Sequence, residues 1–174
     1  MKIPTKITLS LIGWLFLFQI ASAQTINRNA WNLGLTSGIA HMGDNESFDA
    51  DGYYHASFNL GFFPAANFAF GLEANYSNFN FDNGPYPAIG VGPFIRFYLA
   101  KNIYSHASYE AGLAGDDAYG YDKFTFNFGY SLFLNKSFAL EPKIFYVFHN
   151  ESGDSFDFNG PGIGLGIQAF INRH

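Results

Sequence analysis

Phe124-Thr125-Phe126-Asn127-Phe128-Gly129-Tyr130-Ser131-Leu132-Phe133-Leu134 is the stretch that decides the fold. Phe124, Phe126, Phe128, Tyr130, Leu132 and Leu134 share one parity, and Lys123, Thr125, Asn127, Gly129 and Ser131 share the other. Successive side chains of a strand point to opposite faces, so this period of two predicts a strand with one bulky apolar face and one small, polar face. The alternation recurs, and it predicts eight strands: Ala30 to His41, Tyr53 to Phe63, Asn67 to Phe79, Tyr86 to Leu99, Asn102 to Ala114, Tyr121 to Leu134, Ser137 to Asn150 and Gly160 to Ile171. Each meets the about 9 to 11 residues a tilted strand needs to cross a bilayer.

The joins alternate in length. Pro64-Ala65-Ala66, Ala100-Lys101 and Asn135-Lys136 are tight, whereas the other joins, such as Met42 to Gly52 and Glu151 to Asn159, are longer and rich in Gly, Asp, Asn and Ser. Short turns on one side and long loops on the other are the mark of a membrane barrel exported through one face. Both termini are then expected on the short-turn, periplasmic side. Phe62-Phe63-Pro64-Ala65-Ala66-Asn67-Phe68 recurs in kind at Phe97 to Ile103 and at Leu132 to Phe138, so each repeat is one hairpin and its loop. A propeller blade needs four strands per repeat, twice what these units supply.

Residues 1-23 carry Lys2 and Lys6, an apolar run from Ile7 to Ile20, and Ala21-Ser22-Ala23. That is the layout of a secretory signal cleaved before Gln24, which leaves 24-174 as one domain. No Cys is present, so stability does not come from disulfides and lipid attachment at the cleavage site is excluded. With Lys2 and Lys6 removed, nine bases fall to seven against 14 acids, a balance that does not attract nucleic acid. Aromatics make up 20% and charged residues 13%. Soluble chains carry about a quarter charged, so this composition belongs beside lipid.

Volume assigns the faces. Phe58, Leu60, Phe70, Leu72, Ile89, Val91, Phe126, Ile144, Leu165 and their like would overfill an eight-stranded interior, which is only just wide enough for ordinary side chains. The other parity collects Gly34, Gly38, Gly61, Gly71, Gly90, Gly92, Gly112, Gly129, Gly162, Gly164 and Gly166 with Ser, Thr, Asn and Gln, which fit a narrow lumen. Tyr53, Tyr54, Tyr76, Tyr86, Tyr109, Tyr119, Tyr121 and Tyr146 are expected to form an outer girdle at headgroup level. Trp31, Phe62, Phe68, Phe97, Phe138 and Phe170 are candidates for the inner one. Pro93 and Pro142 each remove a ladder donor, with a local missing hydrogen bond expected and no bulge.

Most acids fall in or beside the long loops. Glu73, Glu110 and Glu141 are the acids within strands, and all share the small face with Arg96, Lys123 and Lys143. Three acids and three bases in a narrow tube predict a salt-bridged plug, because burying one such charge alone costs several kcal/mol. Lys123, near the rim, is expected to stay hydrated, with Arg96 and Lys143 as the deeper partners. His55-Ala56-Ser57 and His106-Ala107-Ser108 set a His and a Ser on one face, and Glu110 extends the second set. That is the minimum for a nucleophile, base and orienter, but it points into the lumen, away from a lipid ester. His55 with His149 supplies two metal ligands and no third. Asp49-Ala50-Asp51-Gly52 matches only the opening of a calcium loop. The sequence therefore assigns no catalytic residue, cofactor or metal, and leaves loose divalent-cation bridging by the loops open.

With the closing strand Gly162-Ile163-Gly164-Leu165-Gly166-Ile167-Gln168-Ala169-Phe170-Ile171 in place, the chain resembles the small bacterial outer-membrane β-barrel family of OmpA-like and OmpX-like domains. The resemblance covers the whole mature chain and implies an all-β, eight-stranded antiparallel up-and-down transmembrane β-barrel. These families end on an aromatic read by the barrel-assembly machinery, whereas here Phe170 is followed by Ile171-Asn172-Arg173-His174. A cell-wall tether through a following peptidoglycan-binding domain is not expected. The expected role is a monomeric, non-enzymatic surface barrel whose loops contact lipopolysaccharide or an extracellular partner. A lipid-A-modifying acyl hydrolase and a narrow pore are the alternatives.

Overall fold

The computed structural model describes residues 26, 28–40, 50–81, 84–100, 102–115, 119–151 and 157–172. The proposed signal at 1-23 and most of the long-loop acids lie outside the described residues.

Nine strand segments follow one another: β1 (Trp31–Ala40), β2 (Ala50–Ala65), β3 (Phe68–Phe81), β4 (Gly84–Ala100), β5 (Ile103–Ala114), β6 (Tyr119–Tyr130), β7 (Leu132–Phe133), β8 (Phe138–Glu151) and β9 (Asp157–Ile171). Each strand from β1 to β5 pairs antiparallel with the next, β6 pairs with β8, β8 with β9, and β9 returns to β1 over Trp31↔Ile171 to Ala40↔Gly162. The sheet is a closed, all-β, eight-staved barrel, because β6 and β7 are two pieces of one stave. The strands begin and end within a few residues of the alternation, and six of them, β2, β3, β4, β6, β8 and β9, extend further toward the long joins.

The split stave corrects the continuous strand expected from Tyr121 to Leu134, and Pro142 supplies the reason. The ladder on β8 stops at Gly129↔Lys143 and resumes at Leu132↔Leu140 in the same register, which leaves Pro142 in the gap. A proline has no N–H to give the neighbouring stave. Ser131 in the break is held instead by its amide, which donates to the Asn102 carbonyl at 2.7 Å, and by its hydroxyl, which donates to Glu141 Oε1 at 2.6 Å. Pro93 acts alike: pairing between β4 and β5 lapses between Val91↔Ala111 and Phe94↔Ser108, and the register is unchanged across the gap. Neither proline makes a bulge.

Burial alternates residue by residue, strictly so in β1. Leu35, Leu72, Ile89, Val91, Phe126, Ile144, Ile163 and many others of that parity are exposed on the outer surface, around the whole ring. Inside, several glycines make room for rings. A Cβ on Gly129 would collide with Tyr104, on Gly38 or Gly162 with Phe145, and on Gly90 with Tyr121. Two apolar layers result. Tyr53, Phe79, Tyr121, Phe145 and Val147 pack together at the long-join end, and Ile26, Phe63, Tyr98, Tyr104 and Phe170 pack at the tight-turn end.

These rings correct part of the girdle assignment. Tyr54, Tyr76, Tyr109 and Tyr146 do face outward, but Tyr53 and Tyr121 are buried at 2% exposure, and Phe170 is buried as well. The cause is parity: Tyr53 and Tyr121 stand on the same face as His55 and Lys123. At the tight-turn end Asn67 takes a left-handed φ of 63°, which asparagine tolerates, and its backbone reaches both Ile26 and Tyr98. The segment ahead of β1 is thereby tied across the barrel mouth.

Candidate functional site

The lumen between the two aromatic layers holds every strand-borne charge singled out from the sequence. Glu73, Arg96, Glu110, Lys123 and Glu141 are buried, and Lys143 is partly so. Register brings two sets into contact directly, since Arg96 lies opposite His106 and Glu110 lies opposite Lys123. Other contacts cross the bore.

Toward the long joins, Lys123 Nζ sits 2.9 Å from Glu110 Oε2 and donates to Asn75 Oδ1 at 2.7 Å. Lys123 is 1% exposed, which corrects the hydrated rim position expected for it. Its side chain reaches inward past the aromatic layer, and Asn75 on β3 holds it from the far wall. At mid-depth His106 Nε2 lies 3.3 Å from Glu73 Oε2, while Nδ1 accepts from Arg96 Nε at 3.3 Å. The imidazole also stacks on Phe94, with ring centroids 4.9 Å apart.

Toward the tight turns, Arg96 Nη1 meets Glu141 Oε2 at 3.0 Å. β4 and β8 are not neighbours, so this pair is a strut across the bore. Glu141 Oε1 also accepts from Tyr98 at 3.2 Å and from Ser131 at 2.6 Å, and the Arg96 guanidinium lies 4.6 Å over the Tyr104 ring. A carboxylate with three donors and a guanidinium with an aromatic platform are charges whose lost hydration is replaced. Lys143 differs from expectation. It donates to Thr36 Oγ1 at 3.1 Å and approaches the Phe145 ring at 5.7 Å, but among the described residues it makes no ion pair. Asn32, Asn59 and Gln168 form a further amide cluster where β9, β1 and β2 meet.

The arrangement does not assemble the nucleophile set. His106 turns one nitrogen to Arg96 and the other to Glu73, Glu110 is engaged by Lys123, and Ser108 Oγ has no hydrogen-bond partner among the described residues. His55 packs against Phe145 at 4.7 Å, and His149 lies between Phe79 and Tyr121 at 5.0 and 4.7 Å. No group of three metal-ligating side chains occurs among the described residues. Sequence reasoning found the charges and missed the rings that enclose them, although Tyr98, Tyr104 and Phe145 have lumenal parity.

No family model matches the chain, and no curated protein matches it in sequence. In fold it is similar to several small barrels. Neisserial surface protein A (NspA) superposes with a TM-score of 0.63 at 10% identity, over 82% of this chain and 99% of that one. Ail, the attachment invasion locus protein of Yersinia pestis, gives 0.52 at 9% identity, over 83% of this chain and 99% of that one. The outer membrane protein OprG from Pseudomonas aeruginosa gives 0.50 at 7% identity, over 83% and 97%.

Proposed function

We propose that this chain is a monomeric integral barrel of the bacterial outer membrane, with a lumen closed to solutes and a non-enzymatic role carried by the surface of its long connections. The outer surface supports the membrane reading. Aliphatic and aromatic side chains stand exposed on every stave, far beyond the few hundred Å2 of apolar patch a soluble monomer usually shows. Closure of the sheet leaves no edge to hydrate in hydrocarbon. Barrels of the same fold include an outer membrane protein and an attachment invasion locus protein, which fits a role at the cell surface. The tight turns and both chain ends would then face the periplasm. Lipid and lipopolysaccharide surround the barrel, the assembly machinery inserts it, and the long connections meet any extracellular partner.

The observation that carries the closed lumen is the stack of aromatic layer, charged belt and aromatic layer, crossed by the strut from Arg96 to Glu141. Purified, refolded protein in planar bilayers is expected to give no regular single-channel steps. Steps of constant amplitude would replace this reading with a narrow pore. The non-enzymatic reading has its own check, because His106 is the base any lumenal hydrolase would use. Lipid A profiles by mass spectrometry are expected to be identical in a parent strain and a His106→Ala strain, and a missing product in the latter would restore the hydrolase.

A further inference from the structure

The outer rim at the tight-turn end of the barrel carries bases and no acid. Arg28, ahead of β1, and Lys136, between β7 and β8, are both exposed. Lys101 and Arg173 extend this count in the sequence and lie outside the described residues. No Asp or Glu occurs in 24–30, 64–67, 100–103, 131–138 or 169–174, which hold the tight joins and flank β1 and β9. Glu141 follows soon after Phe138, but it is buried in the lumen and paired there with Arg96.

Register places the two described bases on either side of one stave. Phe138 lies opposite Ala169 and Trp31 opposite Ile171, so β9 ends between the turn that bears Lys136 and the residues that lead from Arg28 into β1. Asn135 Oδ1 accepts from the amides of Ser137 and Phe138 at 2.7 and 2.9 Å, and the Phe170 amide donates to the Ser137 carbonyl at 2.7 Å. These bonds fix the turn against the end of β9. On the other side the Asn29 amide donates to the Phe63 carbonyl at 2.7 Å, which anchors the backbone next to Arg28. Phe138, Ile171 and Trp31 stand exposed beside the two bases, and the Trp31 ring lies 5.0 Å from Phe62. The result is an apolar, ring-bearing belt with a cation just beyond it on each flank.

We propose that this rim holds the phosphate headgroup of an anionic phospholipid from the leaflet at the tight-turn end, an inference that rests on the membrane reading given above. A Lys or Arg close to an anionic lipid surface strengthens binding by about fivefold, and the gain falls away within a Debye length. Guanidinium and ammonium groups both donate to phosphate oxygens. The belt decides between a lipid and a soluble anion. Phe138, Ile171 and Trp31 receive the chains of the molecule whose head meets one of the bases, as rings at headgroup level do. A zwitterionic head brings its own ammonium beside Arg28 or Lys136 and loses part of the attraction.

Trp31 is the one tryptophan beyond residue 23, so its fluorescence reports on this belt. The full mature chain is refolded in phosphatidylcholine bilayers brominated near the top of the chains, with folding checked by heat-dependent gel mobility. Unbrominated phosphatidylglycerol or phosphatidylcholine is then titrated in at low salt. The brominated lipid is expected to quench Trp31, and the glycerol lipid should relieve that quenching about fivefold more effectively than the choline lipid, the share of one base. High salt should shrink this ratio. Arg28→Gln combined with Lys136→Gln should bring it close to one, whereas Arg28→Lys should keep it. A ratio of one in the parent chain, or an unchanged ratio in the double variant, would overturn the site and leave the membrane reading standing. A chain that folds without lipid or detergent, with Trp31 unquenched by the brominated lipid, would remove both.

Discussion

Glu141→Ala is expected to lower the unfolding free energy of the refolded barrel by about 3 to 5 kcal/mol, the usual cost of leaving a buried charge without its partner. Glu141 is fully buried and accepts from Arg96, Tyr98 and Ser131, so its removal strands one guanidinium and two hydroxyls at once. Urea unfolding in a fixed detergent or lipid, read by tryptophan fluorescence and by gel mobility, measures the change. The charge-free pair Arg96→Met with Glu141→Leu is expected to recover most of the loss, because a buried ion pair replaced by apolar groups of similar volume is often neutral or better. A loss under about 1 kcal/mol in Glu141→Ala would mean that water reaches Arg96, since exposed pairs are worth no more than that. The same water would contradict the closed lumen, so the stability measurement and the conductance measurement constrain each other.

The pattern that made the staves readable is also what hid the lumen. On the membrane reading, lipid on one side and a narrow bore on the other enforce strict alternation, so parity grouped Leu72, Phe126 and Ile144 on one face and the volume of that set assigned it outward. The same parity put Tyr53, Tyr98, Tyr104, Tyr121, Phe145 and Phe170 inward, but a rule that bulky means outward obscured them. Glycine resolves the contradiction: a face rich in glycine accepts large rings from across the bore, as Gly129 does for Tyr104. Partnership was less legible than facing. That Lys123 meets Glu110 follows from the register of β5 on β6, and that Arg96 meets Glu141 follows from the diameter of the closed ring. Neither quantity exists in a single strand. Lys143 makes the point in reverse, because its face was right and its expected ion partner was not.

Leu72→Lys is expected to cost about 2 to 4 kcal/mol, the depth-dependent penalty of a lysine at the midplane of a barrel's lipid face. Leu72 sits midway between Phe68 and Tyr76 on the outward parity of β3 and is 61% exposed. In a water-soluble barrel so exposed a position would tolerate lysine within about 0.5 kcal/mol and gain solubility. The two environments therefore predict opposite outcomes from one substitution. Leu99→Lys supplies the depth control: Leu99 is 63% exposed but lies beside the tight turn, where the penalty falls to about 0 to 1 kcal/mol. Folding free energies in liposomes for the two variants should differ by more than the uncertainty of either. Because exposure is the same at both sites, a difference between them reports the solvent around the barrel and not packing within it. Equal and negligible costs would place water against Leu72, and the inward and outward assignments on which the lumen and the strut depend would lose their membrane.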